Sequence, residues 1–277
     1  MQIQFDDVKI YGSTAGLEFE PKRRTLVMIH GVLCDNSVWR DLMLMLDDTE
    51  MNMLAIDLPG QSHSTGRPPQ SVEEAADAVV KVIETLGLKE VALAGHSFGS
   101  LIAMEAAARL PERVSHLIML GTGFPMRVSR ELLNDAEFFT QRAITTLAEW
   151  SKGVPTESRL ADEDRYGWPD NFLPSLMERT QASAPGSNLI YIGLKACHTY
   201  ENGFETMRKV KSKVMFIIGQ MDRLTSPRSA EELAKHAKSP RMRYVSAGHA
   251  MLGEEAPRIA AEMREFLKPK PAFDLPN

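Results

Sequence analysis

The sequence predicts an α/β protein: a doubly wound, mostly parallel eight-stranded sheet broken by one helical insertion. Two patterns predict it. Short, continuously apolar runs such as Thr25-Leu26-Val27-Met28-Ile29 and Val91-Ala92-Leu93-Ala94 alternate with amphipathic or Ala-rich stretches. Alternation of that kind implies a parallel sheet with helices on both faces. From about Phe124 to Phe204 the alternation stops, giving way to helical composition with Phe138, Phe139, Trp150, Trp168 and Phe172 and no strong buried strand. A structureless loop of that length does not fit a compact domain. An inserted helical subdomain over 124–205 is expected, with 1–123 and 206–277 forming the core.

The elements follow in order. The first twenty residues alternate enough for an antiparallel hairpin, with Gly12 and Gly16 as punctuation. Thr25–Ile29 ends at His30-Gly31, and Met53-Leu54-Ala55-Ile56 ends at Asp57-Leu58-Pro59-Gly60, each suiting a buried parallel strand. Ser71-Val72-Glu73-Glu74 is a capping box, Ser71 reaching the third helical amide and Glu74 reaching back. The helix it opens carries Ala75, Ala76, Val79, Val82, Ile83 and Leu86 on one face and ends at Gly87. The strand before Ser97 and the helix after it come next, then a strand over 114–120 followed by Gly121-Thr122-Gly123. After the insertion the pattern resumes with a strand over 213–219, a helix over 227–238, a strand over 242–245 and a last helix from Ala256-Pro257. The proline-rich tail from Pro269 to Asn277 is expected to be loose.

Composition excludes several classes of function. With 43% apolar and 25% charged residues the chain is an ordinary globular one. Its net charge of −5, without a basic block, argues against nucleic acid as a partner. No apolar run reaches the roughly 20 residues that span a membrane. The first residues lack the basic and apolar regions of a signal peptide, so a cytoplasmic protein is expected. Two cysteines, Cys34 and Cys197, agree with a reducing compartment. No HExxH, paired CxxC or Asp/His cluster stands at metal-ligand spacing, and no phosphate loop or dinucleotide fingerprint is present, so neither metal nor cofactor is expected.

The chemistry centres on Gly95-His96-Ser97-Phe98-Gly99, between a strand and a helix. A Gly-x-Ser-x-Gly at such a turn is a nucleophile elbow that leaves the hydroxyl exposed. A serine hydroxyl is a weak nucleophile without a base. His249, in Ala247-Gly248-His249-Ala250 before the last helix, falls where strand C-termini gather and ligands bind. Asp222, just past the 213–219 strand, supplies the acid; Gly121-Thr122-Gly123-Phe124, after the preceding strand, offers no carboxylate. The order Ser97, Asp222, His249 is the one this elbow architecture uses. Two backbone donors for an oxyanion are expected from Phe98 and from Val32, beside which Gly31 allows close approach.

The other candidates weigh towards structure. His30, His96 and Asp57 read as packing or hydrogen-bonding residues at the edge of the site. His63, His116, His198 and His236 have no patterned acid or metal partner. Cys34 lies near the loop after His30-Gly31 but lacks an elbow. Candidate substrate contacts are Leu33 in that loop and Phe124, Phe138, Trp150 and Trp168 in the insertion.

His30-Gly31 with Trp39 downstream, Asp57-Leu58-Pro59-Gly60, Gly-His-Ser-Phe-Gly, Gly-Gln-Met-Asp and Gly-His together resemble the α/β-hydrolase superfamily over nearly the whole chain. The resemblance implies that residues 124–205 form a cap over the active site. It implies a cofactor-independent serine hydrolase acting on a small-molecule ester of small or medium size. Serine at the elbow separates the chain from the dehalogenase and epoxide hydrolase relatives, which use aspartate there. A single glycine in the oxyanion loop argues against bulky tertiary-alcohol esters. Gln61-Ser62-His63-Ser64 departs from the usual glycine-rich turn, which puts the wall of the site in doubt. The same triad also serves lactonases, perhydrolases and C–C bond hydrolases of ring-cleavage products. The last need a basic cap residue, for which Arg142, Arg159, Arg165 and Arg179 are available. A ligand receptor on a hydrolase scaffold is the non-enzyme alternative.

Overall fold

The computed structural model describes residues 1–153 and 167–268. Eight strands form one sheet in the order β1-β2-β4-β3-β5-β6-β7-β8. They are β1 Gln2–Phe5, β2 Val8–Ser13, β3 Thr25–Ile29, β4 Asn52–Ile56, β5 Val91–His96, β6 Val114–Leu120, β7 Lys213–Gly219 and β8 Arg241–Val245. β1 and β2 pair antiparallel and β2 joins β4 antiparallel, whereas β4, β3, β5, β6, β7 and β8 run parallel. Every residue of β3, β4 and β5 is buried. That is why these strands read as unbroken apolar runs: helices cover both faces.

The hairpin turns at Asp6-Asp7, where Asp6 adopts φ 49°, and not at Gly12. Gly12 lies inside β2, where a Cβ would come within 2.6 Å of Leu54 Cδ1, so its lack of a side chain serves close packing. Ser71 Oγ accepts the Glu74 N–H at 3.1 Å, but Glu74 Oε2 reaches past the cap residue to the Gln70 N–H at 2.9 Å. Helix Val72–Thr85 buries the expected face and stops before Gly87, whose φ is +62°. Helix Pro227–Ala234 ends short of Lys238, because the His236 and Ala237 amides bond to carbonyls three residues back and tighten the last turn.

Helix Phe98–Arg109, directly after β5, is buried along almost its whole length. Its alanines let it lie close beneath the sheet. Between β6 and β7 the described helices are Arg130–Phe138, Thr140–Ser151, Phe172–Ala182, Leu189–Thr199 and Gly203–Lys209. The first four pack on one another, whereas Gly203–Lys209 packs on Phe98–Arg109. A boundary at 205 therefore falls inside a helix of the core layer. Buried Glu105 fixes this return: its Oε1 accepts from the Tyr200 hydroxyl at 2.6 Å and the Thr206 hydroxyl at 2.8 Å. The Pro269–Asn277 tail, Arg159 and Arg165 lie outside the described residues.

Candidate active site

Ser97 sits between β5 and its following helix at φ 55° and ψ −122°, a left-handed conformation that a side chain rarely adopts. The two glycines explain how the turn closes. A Cβ on Gly95 would lie 2.1 Å from the Gly99 carbonyl oxygen, and one on Gly99 would lie 2.2 Å from the Ile29 carbonyl oxygen. Ser100 Oγ donates to the Ser97 carbonyl at 2.5 Å and receives the Thr122 hydroxyl at 2.6 Å, locking the first helical turn. Ser97 stays half-buried among buried neighbours and faces a cavity of about 230 Å³.

His249 and Asp222 come from the loops after β8 and β7. Both are buried, and His249 Nδ1 lies 2.8 Å from Asp222 Oδ2. Asp222 also accepts the Leu224 and Thr225 N–H groups on Oδ1, at 2.9 and 2.8 Å, and the Thr225 hydroxyl on Oδ2 at 2.7 Å. Burial alone would raise its pKa. The neighbouring His249 and the Thr225 donors outweigh that and hold it at about 2. A carboxylate opposite Nδ1 keeps the ring proton there and leaves Nε2 as the acceptor. His249 and Ser97 line the same cavity.

His30 is fully buried, and its Nε2 accepts the Leu58 N–H at 3.2 Å, so the ring proton is on Nδ1. That proton points to the Gly31 carbonyl at 2.9 Å, which also receives the Cys34 N–H at 3.3 Å. In a trans peptide the Val32 N–H points the opposite way. Gly31 lies against Ser97: a Cβ there would be 3.2 Å from Ser97 Cβ. The Phe98 N–H, at the start of its helix, has no partner within the helix. Val32 lines the cavity and is itself packed against Gly193 of the insertion.

Of the expected substrate contacts, Trp150 and Trp168 line the cavity. The other three do not. Phe138 is 65% exposed, on the outer side of its helix. Phe124 is 5% exposed and packs edge-on against Tyr200 and Phe204. Leu33, at φ 56°, turns into the core. Local sequence marks an aromatic as packable without saying which layer it packs in. His63 does have an acid partner, its Nδ1 standing 3.0 Å from Asp57 Oδ2. Residues 61–64 stay out of this cavity; Ser62 and His63 line a separate polar cleft with Arg179 and Ser183. Cys34 and Cys197 line the cavity as free thiols. Burial, with the nearby Asp35, pushes the Cys34 thiol up to about 12, and burial pushes Cys197 up as well. Neither is a thiolate nucleophile at neutral pH. Arg142 is tied to Asp135 away from the site. Arg127, Arg223, Thr225 and Met177, which sequence alone did not single out, join the lining. Among the described residues no cluster of three metal-ligating side chains occurs, and no helix is long and apolar enough to cross a membrane.

A mostly parallel eight-stranded sheet, a strained serine at its central strand–helix turn and a histidine–carboxylate pair at the strand C-termini define a hydrolase. The chain belongs to the α/β hydrolase fold family, whose model matches residues 24–256. It is 26% identical over 266 residues to the uncharacterized hydrolase YugF of Bacillus subtilis, covering 90% of this chain and 91% of that one. Over 251 residues it is 26% identical to the pimeloyl-[acyl-carrier protein] methyl ester esterase of Neisseria meningitidis, covering 88% and 94%. In fold it is similar to an esterase from Exiguobacterium antarcticum, with a TM-score of 0.77, 18% identity and coverage of 97% and 99%.

Proposed function

We propose that the protein is a serine hydrolase that cleaves carboxylic esters of small to medium size through an acyl-enzyme on Ser97. Ser97 Oγ attacks the ester carbonyl carbon while His249 Nε2 takes its proton, and Asp222 stabilises the resulting imidazolium. The Val32 and Phe98 N–H groups receive the oxyanion. Collapse breaks the acyl–oxygen bond, and His249 returns the proton to the departing alcohol. Water, deprotonated by the same nitrogen, then attacks the acyl carbon and releases the acid and Ser97.

One observation carries this assignment: the 2.8 Å contact between His249 Nδ1 and the ionised Asp222, in the wall of the cavity that Ser97 faces. The mainly apolar lining suits an acyl chain, and the insertion over 124–205 serves as the cap that supplies most of it. The methyl ester esterase of Neisseria meningitidis, similar over nearly the whole chain, agrees with ester chemistry.

Hydrolysis of p-nitrophenyl esters from acetate to laurate by wild type and Ser97→Ala tests it. Turnover peaking at one chain length and lowered at least about 10³-fold in Ser97→Ala is expected. Absence of turnover on every chain length by folded wild type sinks the ester assignment.

A further inference from the structure

The whole chain carries a net charge of −5, yet the described wall of the cavity holds no aspartate or glutamate. Its permanently charged side chains are two arginines, Arg127 and Arg223. Both are exposed at their own positions, so they stand where the cavity meets solvent. Neither forms a salt bridge with a described carboxylate. Arg127 Nη1 donates to the His198 carbonyl at 2.7 Å, and Arg223 Nη2 reaches the Glu149 carbonyl at 3.5 Å. A guanidinium has five N–H donors, so the described residues engage only a minority of them on each. Arginines elsewhere on the surface are engaged differently: Arg109, Arg243 and Arg264, for example, pair with Asp77, Glu262 and Asp48.

The two arginines come from the segments that follow two neighbouring strands, β6 and β7. Arg127 is held at the start of the insertion, where the Val128 N–H donates to His198 Nδ1 at 3.2 Å. Arg223 follows Asp222 directly, on the loop after β7. The same wall carries the apolar side chains Leu132, Leu147, Trp150, Leu173 and Met177. A cavity whose described wall is mainly apolar and bears two arginines but no carboxylate is complementary to a chain that is apolar along its length and negative at its end. The planar fork of arginine suits a carboxylate or a phosphate at that end.

We infer that the substrate of this site is an anionic ester, with an apolar segment joining the scissile carbonyl to a terminal carboxylate or phosphate that Arg127 and Arg223 bind. This rests on the ester reading given above and specifies its substrate class.

Paired substrates of equal chain length test it: the mono-p-nitrophenyl esters of hexanedioic and octanedioic acids against p-nitrophenyl hexanoate and octanoate. The ratio of kcat/KM, anionic over neutral, is expected to be at least about 10 at low salt and to fall towards 1 as ionic strength screens the pair. In Arg127→Gln/Arg223→Gln the ratio is expected near 1, and Arg127→Lys/Arg223→Lys should keep part of it. The ratio is internal to each protein, so a partly misfolded variant does not imitate the result. Calorimetric binding of monomethyl octanedioate and methyl octanoate to Ser97→Ala gives the same comparison without turnover. If wild type hydrolyses the neutral esters through Ser97 but shows no anionic preference, the inference is overturned and the ester reading stands. If nothing is hydrolysed, the ester reading fails, and calorimetry alone then decides whether the cavity prefers an anion. A preference that survives the double Gln variant removes these arginines from the assignment.

Discussion

His96 donates its Nε2–H to the main-chain carbonyl of His249 across 2.8 Å, and the two imidazoles pack with centroids 4.8 Å apart. A carbonyl only accepts, so the proton on Nε2 is fixed. Burial, followed by the neighbouring His249, pushes the His96 pKa down to about 3. The residue before Ser97 therefore holds the loop of the proposed base as a neutral strut.

This strut makes the fold acid-sensitive. An unfolded histidine titrates near about 6.5, so below that pH the unfolded chain binds a proton that folded His96 does not. The depressed base costs nothing above pH 6.5, and its penalty grows as pH falls from there towards about 3. At pH 4 it amounts to roughly 3 kcal/mol. Urea unfolding at pH 8, 6, 5 and 4 should show wild-type stability falling more steeply than that of His96→Asn. Parallel curves would show that His96 is not the group responsible.

Asp222 works in the opposite direction. Its folded pKa, about 2, lies below the ordinary value, so its contribution to stability is complete above about pH 4 and is lost as pH falls through about 2. At pH 7 Asp222→Asn should cost roughly 2 kcal/mol, a difference that shrinks in acid. The larger effect is on turnover. Without a carboxylate at Nδ1 the ring proton is no longer held there, and kcat should fall by about 10³–10⁴, less than in Ser97→Ala. The Thr225 hydroxyl, 3.3 Å from Nδ1, remains to orient the ring in part. Wild-type kcat in Asp222→Asn would show that another acid serves His249.

Away from the proposed chemistry, Glu105 joins the helix after Ser97 to the chain returning from the insertion. Burial and then Glu105 push the Tyr200 phenol above its ordinary pKa, so it stays a donor. Glu105→Ala leaves the Tyr200 and Thr206 hydroxyls without their acceptor and frees one partner of Arg109. A loss of about 2–4 kcal/mol is expected in urea unfolding, against about 1 kcal/mol for Tyr200→Phe. Equal, small losses would show that the network is solvated.

The placement of Ser97, Asp222 and His249 around one site was legible because each stands at a strand end, where apolar runs break, and the fold brings such ends together whatever lies between them. The sheet was legible for the same reason, since β3, β4 and β5 are buried on both faces and carry no polar alternation. The cavity wall was not. Phe124, Phe138 and Leu33 look like Trp150 and Trp168 in the sequence, and only the packing of the inserted helices sends two of the five into the cavity. Arg223 carried a signal in standing next to Asp222; Arg127 carried none, because a turn before the first inserted helix orients it.

Gly193 shows how the insertion reaches the chemistry. It lies in helix Leu189–Thr199, where a Cβ would come within 2.9 Å of Val32 Cγ1 and 3.1 Å of Cγ2. Valine has little rotameric freedom, so the added methyl pushes on the Val32 backbone. Alanine favours the helix over glycine by about 1 kcal/mol, which offsets much of the steric cost to stability. Gly193→Ala is therefore expected to stay within about 1 kcal/mol of wild type while kcat falls about 10–10²-fold as the proposed oxyanion donor on Val32 moves. Gly99→Ala is the contrast. Its Cβ would stand 2.2 Å from the Ile29 carbonyl oxygen, a main-chain atom that cannot yield, so at least about 3 kcal/mol of stability should be lost. Urea unfolding and steady-state rates on both variants separate the two effects. An unchanged kcat in a folded Gly193→Ala protein would mean that the Val32 N–H does not receive the oxyanion.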